Sequence, residues 1–114
     1  MQYNLEKRTT QFAAEVIILV KKLRITAVNK RIIEQLVGSS GSIGANYREA
    51  NEAESNKDFF HKIAIAKKEI KETQHWLILL SISNSEVKKE LRVSFKESQE
   101  LLYIFAAIRR KAHV

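Results

Sequence analysis

The sequence predicts an all-α protein, an antiparallel up-down-up-down four-helix bundle. Its 114 residues include no proline and only three glycines, so the turn residues that all-β folds need are missing. Apolar residues recur at spacings of three and four along four segments, which is the period of a packed helix face. Short polar breaks separate the segments, and the length fits one domain over residues 1–114.

The first two helices are expected over residues 5–24 and 27–53, with Thr26 as N-cap of the second. The glycine-rich run 38–44 lies inside the second segment. Taken locally it is a loop, since each glycine disfavours a helix by about 1 kcal/mol. The apolar stripe passes through the run without a change of phase, so we predict one continuous helix. The two stripes are Phe12, Val16, Leu19, Leu23 and Ile33, Leu36, Ser40, Ile43, Tyr47, Ala50.

The third and fourth helices are expected over residues 56–81 and 86–111. Ser55 and Asp58 have the spacing of a capping box, and Ser85 is the expected N-cap of the fourth helix. Further apolar residues lie beside the stripes of several helices, which predicts a second buried face and therefore self-association. The alternative is a single wide stripe that faces the core of one bundle. The two stripes are Phe59, Ile63, Ala66, Ile70, Thr73, Leu77, Leu80 and Leu91, Phe95, Ser98, Leu102, Phe105.

The composition narrows the classes of function. Twenty Lys and Arg against thirteen Asp and Glu give a net charge of +7, which favours polyanionic partners. The absence of cysteine excludes disulfides, thiolate zinc sites and thiol nucleophiles. No apolar run approaches the roughly 20 residues that span a bilayer, and Met1–Leu5 lacks the basic start of a signal peptide. We therefore expect a cytoplasmic protein without a membrane partner.

Much of the positive charge is expected at one end of the bundle. In an up-down-up-down topology the end of helix one, the start of helix two, the end of helix three and the start of helix four meet there. We call this cluster the basic pole and predict that it binds nucleic acid. Its members are Lys21, Lys22, Arg24, Lys30, Arg31, Lys88, Lys89 and Arg92. The alternative is a solvated surface without a binding role.

No pattern in the chain predicts catalysis or a bound metal. Glu72 and His75 have the Glu-x-x-His spacing of di-iron bundles, and Asp58 and His61 resemble it, but both pairs lie on one predicted helix. No lysine follows Gly44, as a phosphate-binding loop would require. Paired acids occur without a nucleophile. We expect no catalytic residue, no metal, no cofactor and no enzymatic activity.

A longer pattern is more specific. It begins with Ser42-Ile-Gly-Ala-Asn-Tyr-Arg-Glu-Ala50 and continues with Glu54-Ser-Asn-Lys-Asp-Phe-Phe-His-Lys-Ile63, Glu69, Glu72-Thr73 and Trp76-Leu77. This combination resembles the bacterial four helix bundle protein family, also called the 23S ribosomal RNA intervening-sequence protein family. The resemblance is strongest over residues 33–80. One departure is the link Arg24-Ile25-Thr26, where the family often has proline.

The resemblance implies an antiparallel four-helix bundle that assembles as a barrel-like homopentamer. Members of the family are encoded within insertions in large-subunit ribosomal RNA genes. A branch of similar fold, the accessory variability determinant of diversity-generating retroelements, is associated with reverse transcriptase and RNA. The resemblance also implies a structural role, as a polar network and an aromatic anchor, for Asn46, Glu49, Glu69, Glu72 and Trp76.

Charge and resemblance together predict a non-enzymatic, oligomeric helical bundle that binds RNA or nucleoprotein through its basic surface. The alternative is a protein–protein interaction scaffold that does not bind nucleic acid. The two differ in the salt dependence of binding, because neutralised phosphates release counterions.

Overall fold

A computed structural model describes residues 4–113, which form four α-helices and two short 3-10 turns. The all-α bundle predicted from the sequence is confirmed, and no strand occurs within the described residues. The helices are α1 Leu5–Val20, α2 Ala27–Asn51, α3 Asn56–Ser83 and α4 Lys88–Arg110. The turns are Ser85–Val87 and Lys111–His113. A helix of 28 residues such as α3 is roughly 42 Å long, which accounts for the 45 Å long axis of the molecule.

Side-chain caps fix where the first three helices begin. The hydroxyl of Thr26 accepts a hydrogen bond of 3.0 Å from the backbone N–H of Asn29, and Ser55 accepts one of 3.1 Å from Asp58. Both predicted caps are therefore confirmed. Asn4 caps α1 in the same way. Each bond satisfies a backbone N–H that the first turn of a helix leaves free, which stabilises the helix by about 1 kcal/mol.

The end of α1 and the start of α4 differ from the predicted positions. The α-helix ends at Val20 and not near residue 24. The backbone N–H groups of Lys22 and Leu23 donate to carbonyls three residues earlier, as in a 3-10 turn, and not to those four residues earlier. Leu23 remains buried as the chain turns towards α2. Ser85 does not cap α4; it opens a 3-10 turn, and α4 starts at Lys88 without a side-chain cap.

The glycine-rich run is helical throughout, as its phase predicts. α2 continues from Ala27 to Asn51 without a break, and none of the three glycines has a positive φ. Gly44 is buried where α2 crosses α1: an added Cβ would lie 2.9 Å from the hydroxyl oxygen of Thr9. Glycine is thus required at this crossing. Gly38 and Gly41 face outwards, and an added Cβ at either would meet nothing within 4 Å.

Consecutive helices run antiparallel. Arg48, near the end of α2, donates a 2.9 Å hydrogen bond to Glu6 at the start of α1. Asn29, in the first turn of α2, is bonded to Asn84, which follows α3. The short connection 84–87 then returns the chain into α4. The bundle therefore places the ends of α1 and α3 beside the starts of α2 and α4.

The core contains the predicted stripes and further residues beside them, among them Val20, Ile32, Leu101 and Ile104. Every residue of the four stripes is buried or half-buried. Polar members of the core are paired: the hydroxyl of Thr73 on α3 donates to Ser39 on α2 over 2.9 Å, and Gln74 donates to Ser98 on α4 over 3.1 Å. Within the described residues no buried side-chain nitrogen or oxygen lacks a partner. Satisfied polar contacts of this kind fix the register of the helices without the cost of an orphaned group.

Candidate functional site

All eight residues of the basic pole lie at the same end of the bundle. Lys21, Lys22 and Arg24 follow α1; Lys30 and Arg31 lie in the first turns of α2; Lys88, Lys89 and Arg92 lie in the first turns of α4. Each of the eight is exposed. Long cationic side chains in this position keep their charged ends in water and can reach a common ligand.

The two ends of the molecule differ in how their charges are paired. Three ion pairs occur among residues 4–113, and none includes a residue of the basic pole. Three carboxylates also lie at this end of the molecule: Glu34, Glu86 and Glu90. None of them forms an ion pair with a residue of the basic pole within the described residues. Cations therefore outnumber acids at this end, and the surplus is open to an external anion. The three pairs join Arg8 to Glu97, Arg48 to Glu6 and Lys62 to Glu49.

A buried pair of asparagine side chains joins three of the segments that meet at the basic pole. Asn29 and Asn84 are 3% and 4% exposed, and their amides exchange two hydrogen bonds of 2.8 Å. The Asn29 amide also donates to the carbonyl of Arg24, and the Asn84 amide to that of Leu80. Ser83 completes the cluster by donating to the Asn29 side-chain oxygen over 2.9 Å. The connection after α1, the start of α2 and the end of α3 are thereby fixed to each other.

Sequence patterns do not reveal this asparagine pair. An asparagine three residues after an N-cap and another after a helix are ordinary capping or turn residues. Their partnership spans 55 residues of chain and depends on the antiparallel packing of α2 against α3. The short polar segment after α3 indicates a connection there, but it does not indicate which residue Asn84 contacts.

The same end of the molecule exposes apolar side chains. Eight large hydrophobic residues are exposed among the described residues, and seven of them lie in the half that carries the basic pole. Ile25 and Ile82 are the most prominent, with 75% and 74% of their surface accessible. The seven are Ile17, Ile18, Ile25, Val28, Ile78, Ile82 and Val93. They are spread over all four helices and the connection after α1, and together they add exposed apolar area to this end of the bundle.

Among the open grooves between helices, a pair is lined in part by residues of α4. The larger, about 980 Å³, separates α1 from α4, and acidic and basic side chains alternate along it. The smaller, about 210 Å³, lies between the end of α3 and the start of α4; we call it the α3–α4 cleft. Its lining includes four apolar residues and two cations of the basic pole, and no acid: Leu77, Ile78, Leu91, Phe95, Lys88 and Arg92.

Four of the five motif residues that the resemblance singled out make separate polar contacts in the structure. Asn46 donates to the carbonyl of Ser42 in its own helix over 2.8 Å. Glu49 pairs with Lys62 across the α2–α3 contact at 2.7 Å. The indole N–H of Trp76 donates to Glu72 one turn earlier, at 3.3 Å. The half-buried indole also packs against the core.

Glu69, the fifth motif residue, is half-buried on α3. Burial raises the pKa of its carboxyl group, the nearby Glu72 carboxylate raises it further, and Lys68 acts in the opposite direction. No hydrogen bond joins the Glu69 side chain to Asn46, Glu49 or Trp76 within the described residues. Ionisation of the Glu69 carboxyl group is therefore less favourable than that of a fully solvated glutamate.

The described residues do not assemble an evident catalytic or metal centre. His61 and His75 are exposed, and no three His, Asp or Glu side chains among residues 4–113 converge as metal ligands would. The ring of His75 contacts that of Trp76 edge-on, with centroids 4.8 Å apart. Over the same residues, no helix has the length and apolar character needed to cross a membrane.

Comparison with known proteins places the chain in a family. A search of curated proteins found no significant match. A crystal structure from Bacteroides thetaiotaomicron, a protein of unknown function from the S23 ribosomal protein family, is similar: identity is 32% and the TM-score 0.79. The match covers 91% of this chain and 96% of that one. The family model described as 23S rRNA-intervening sequence protein matches residues 1–107. The chain therefore belongs to the 23S rRNA-intervening sequence protein family.

Proposed function

We propose that the protein is a non-enzymatic, oligomeric helical bundle that binds RNA or a nucleoprotein through its basic pole. The observation that carries this proposal is the concentration of eight exposed cations, none in an ion pair within the described residues, at one end of the bundle. The resemblance to a branch associated with reverse transcriptase and RNA supports RNA as the polyanion. Cytoplasmic location belongs to the same proposal.

The physical basis is electrostatic. Cations that neutralise phosphates release condensed counterions, so the binding constant falls as salt is added, with a log–log slope of about −0.7 per contact on a single strand. Such binding carries little sequence information, because phosphates are the same in every sequence. The hydrogen bonds of Asn29 and Asn84 join the connection after α1 to the start of α2, the two segments that carry five of the eight cations.

The test is a salt titration of binding to random single-stranded RNA. A variant with Lys21, Lys22, Arg24, Lys30 and Arg31 changed to Glu is compared with the natural chain. We expect the variant to lose nearly all affinity and most of the salt slope. An affinity that stays unchanged in the variant contradicts the basic pole as the binding surface.

A charge-matched variant supplies the control for this test. Five other exposed cations are changed to Glu, which alters the net charge by the same amount and leaves the basic pole intact. We expect RNA binding to weaken only modestly through the long-range field. Equal losses in both variants would show that net charge, not the pole, governs binding. The five are Lys7, Lys57, Lys71, Arg110 and Lys111.

We further propose that copies of the chain associate, as a homopentamer by the family resemblance. Burial of the exposed apolar residues between copies favours association by roughly 25 cal/mol for each Å² of apolar surface removed from water. Light scattering coupled to size-exclusion chromatography at micromolar concentration measures the mass of the assembly. We expect a mass several times 13.2 kDa, and a clean monomer contradicts the proposal.

A protein–protein scaffold without nucleic-acid binding is the second candidate. It is favoured by the seven exposed apolar side chains in the half that carries the pole, because a purely electrostatic surface would not need them. RNA binding that is absent even at low salt, in a sample shown to be oligomeric, would favour the scaffold over the first proposal.

A further inference from the structure

The α3–α4 cleft combines two features that polyanion binding alone does not require. Its floor is apolar: Leu77 and Leu91 are buried, the ring of Phe95 is half-buried, and Ile78 keeps 49% of its surface accessible. Its rim carries Lys88 and Arg92, which are exposed cations of the basic pole. An apolar slot with two cations beside it is complementary to a flat, apolar group that bears an anion.

We infer that the α3–α4 cleft is a nucleotide subsite, in which one unpaired base enters against Phe95 and Ile78 while its phosphate lies on Lys88 and Arg92. This inference rests on the proposed function and deepens it. The basic pole would supply affinity for the strand, and the cleft would supply a preference for strands that carry free bases.

The size and lining of the cleft favour a base over other occupants. Its volume of about 210 Å³ is below the usual range of about 300–1,000 Å³ for drug-sized ligands, which suits a single planar ring system. No acid lines it, so an anionic ligand meets no repulsion inside the cleft. Aromatic and apolar walls accept any base through its π-face, as single-strand binding proteins commonly do. A single-stranded nucleic acid is therefore the occupant that fits both the floor and the rim.

The experiment compares two strands of equal length and charge, one a single-stranded oligouridylate and the other an abasic ribose-phosphate strand. Fluorescence anisotropy measures both affinities at the same salt concentration. We expect the natural chain to prefer the strand with bases by about tenfold, the value of one base stacked on an aromatic ring. Equal affinity for the two strands overturns the subsite and leaves the proposed polyanion binding standing. Failure to bind either strand overturns both.

Substitutions in the cleft test whether the cleft is the source of the preference for strands that carry bases. Phe95→Leu keeps an apolar side chain but removes the ring, and Ile78→Ala shortens an exposed wall that contributes little to folding. We expect both variants to bind the two strands with nearly equal affinity, because affinity for the strand with bases falls while affinity for the abasic strand stays unchanged. Val93→Ala is the control, because Val93 is exposed on the same helix but outside the cleft. A preference that survives both cleft variants, or is lost equally in Val93→Ala, overturns the assignment.

A charge pair separates the rim of the cleft from the rest of the basic pole. Arg92→Gln and Lys89→Gln each remove one exposed cation, but only Arg92 lines the cleft. Both should reduce the salt slope by about 0.7. We expect only Arg92→Gln to weaken the binding of uridine monophosphate.

Photocrosslinking of a 4-thiouridine strand should mark Phe95 or its neighbours. Crosslinks confined to α1 and α2 overturn the subsite even if the strand binds.

Discussion

Gly38, Gly41 and Gly44 lie on one helix but meet different surroundings. Gly44 is buried against Thr9 of α1, and an added Cβ would lie only 2.9 Å from the Thr9 hydroxyl oxygen and 3.3 Å from its Cβ. Gly38 and Gly41 are exposed and have free space around them. At Gly44 the absence of a side chain is structurally required, while at the other two positions the bundle gains nothing from it.

Alanine substitutions test this difference. Gly44→Ala should destabilise the protein by about 1–3 kcal/mol, because the new methyl group forces α1 and α2 apart. Gly38→Ala and Gly41→Ala should each stabilise it by roughly 0.5–1 kcal/mol through helix propensity. Urea unfolding of the three variants measures the changes. A stable Gly44→Ala variant would contradict the close crossing with Thr9, and destabilised outer variants would show that another surface covers these positions.

Glu69 predicts a dependence of stability on pH. Burial and then Glu72 raise the pKa of its carboxyl group in the folded chain above the unfolded value. Between the two values the folded state binds more protons, so stability falls as the pH rises through this window. Glu69→Gln removes the charge and should raise the melting temperature near neutral pH. The two proteins should converge below about pH 4, where the carboxyl group is largely protonated in both states. A less stable variant at neutral pH would reveal a stabilising partner of the carboxylate.

At the scale of the elements, periodicity predicts the helices better than it predicts their ends. The phase of the stripe through residues 38–44 correctly predicts α2 as continuous, because burial of Leu36 and Ile43 on one face outweighs the low propensity of three glycines. Caps made within four residues, at Thr26 and Ser55, are likewise predictable. The start of α4 is not, because the chain around Ser85 is set by the bonding of Asn84 to a distant helix.

The same limit applies to the candidate site. Topology predicts that the eight cations meet at one end, since the end of each helix follows from the order of the elements. The α3–α4 cleft and the asparagine pair are not predictable, because each depends on how two helices pack side by side. Ile78 and Phe95 are apolar residues at helical spacing, and only the structure distinguishes a cleft wall from core.

The asparagine pair is the contact through which α2 and α3 hold the connection after α1. Asn29→Ala should destabilise the protein by about 1–3 kcal/mol, because it leaves the buried amide of Asn84 without its partner. The double variant of Asn29→Ala and Asn84→Ala should lose less free energy of unfolding than the sum of the two single variants. The difference, which is the coupling energy of the pair, should be about 0.5–3 kcal/mol. Asn51→Ala is the control: this exposed residue bonds Glu6 at the surface, so its loss should change stability by less than about 0.5 kcal/mol. Additive effects of Asn29→Ala and Asn84→Ala would contradict a direct pair.

The molecule as a whole is electrostatically polarised. The three ion pairs of the described residues lie away from the basic pole, and the pole retains an excess of positive charge within the bundle's 24 × 21 Å cross-section. Like charges held this close repel one another over a distance comparable with the Debye length of about 10 Å at 0.1 M salt. The concentrated positive charge of the pole therefore opposes the stability of the bundle. A net charge of +7 adds to the same effect.

This repulsion predicts that added salt stabilises the free protein. Raising the ionic strength from about 0.01 M to 1 M shortens the Debye length from about 30 to 3 Å and screens the pole. The midpoint of urea unfolding should rise, because urea is uncharged and leaves the salt series interpretable. Replacing Lys21 and Lys88 by Gln should flatten the rise, whereas replacing Lys57 and Lys111, exposed at the opposite end, should change it less. Screening of the three partly exposed ion pairs acts in the opposite direction but is worth at most about 1 kcal/mol for each pair. A midpoint that falls with salt would therefore mean that attraction within the bundle outweighs repulsion at the pole, and the pole would then lack the surplus of charge that polyanion binding requires.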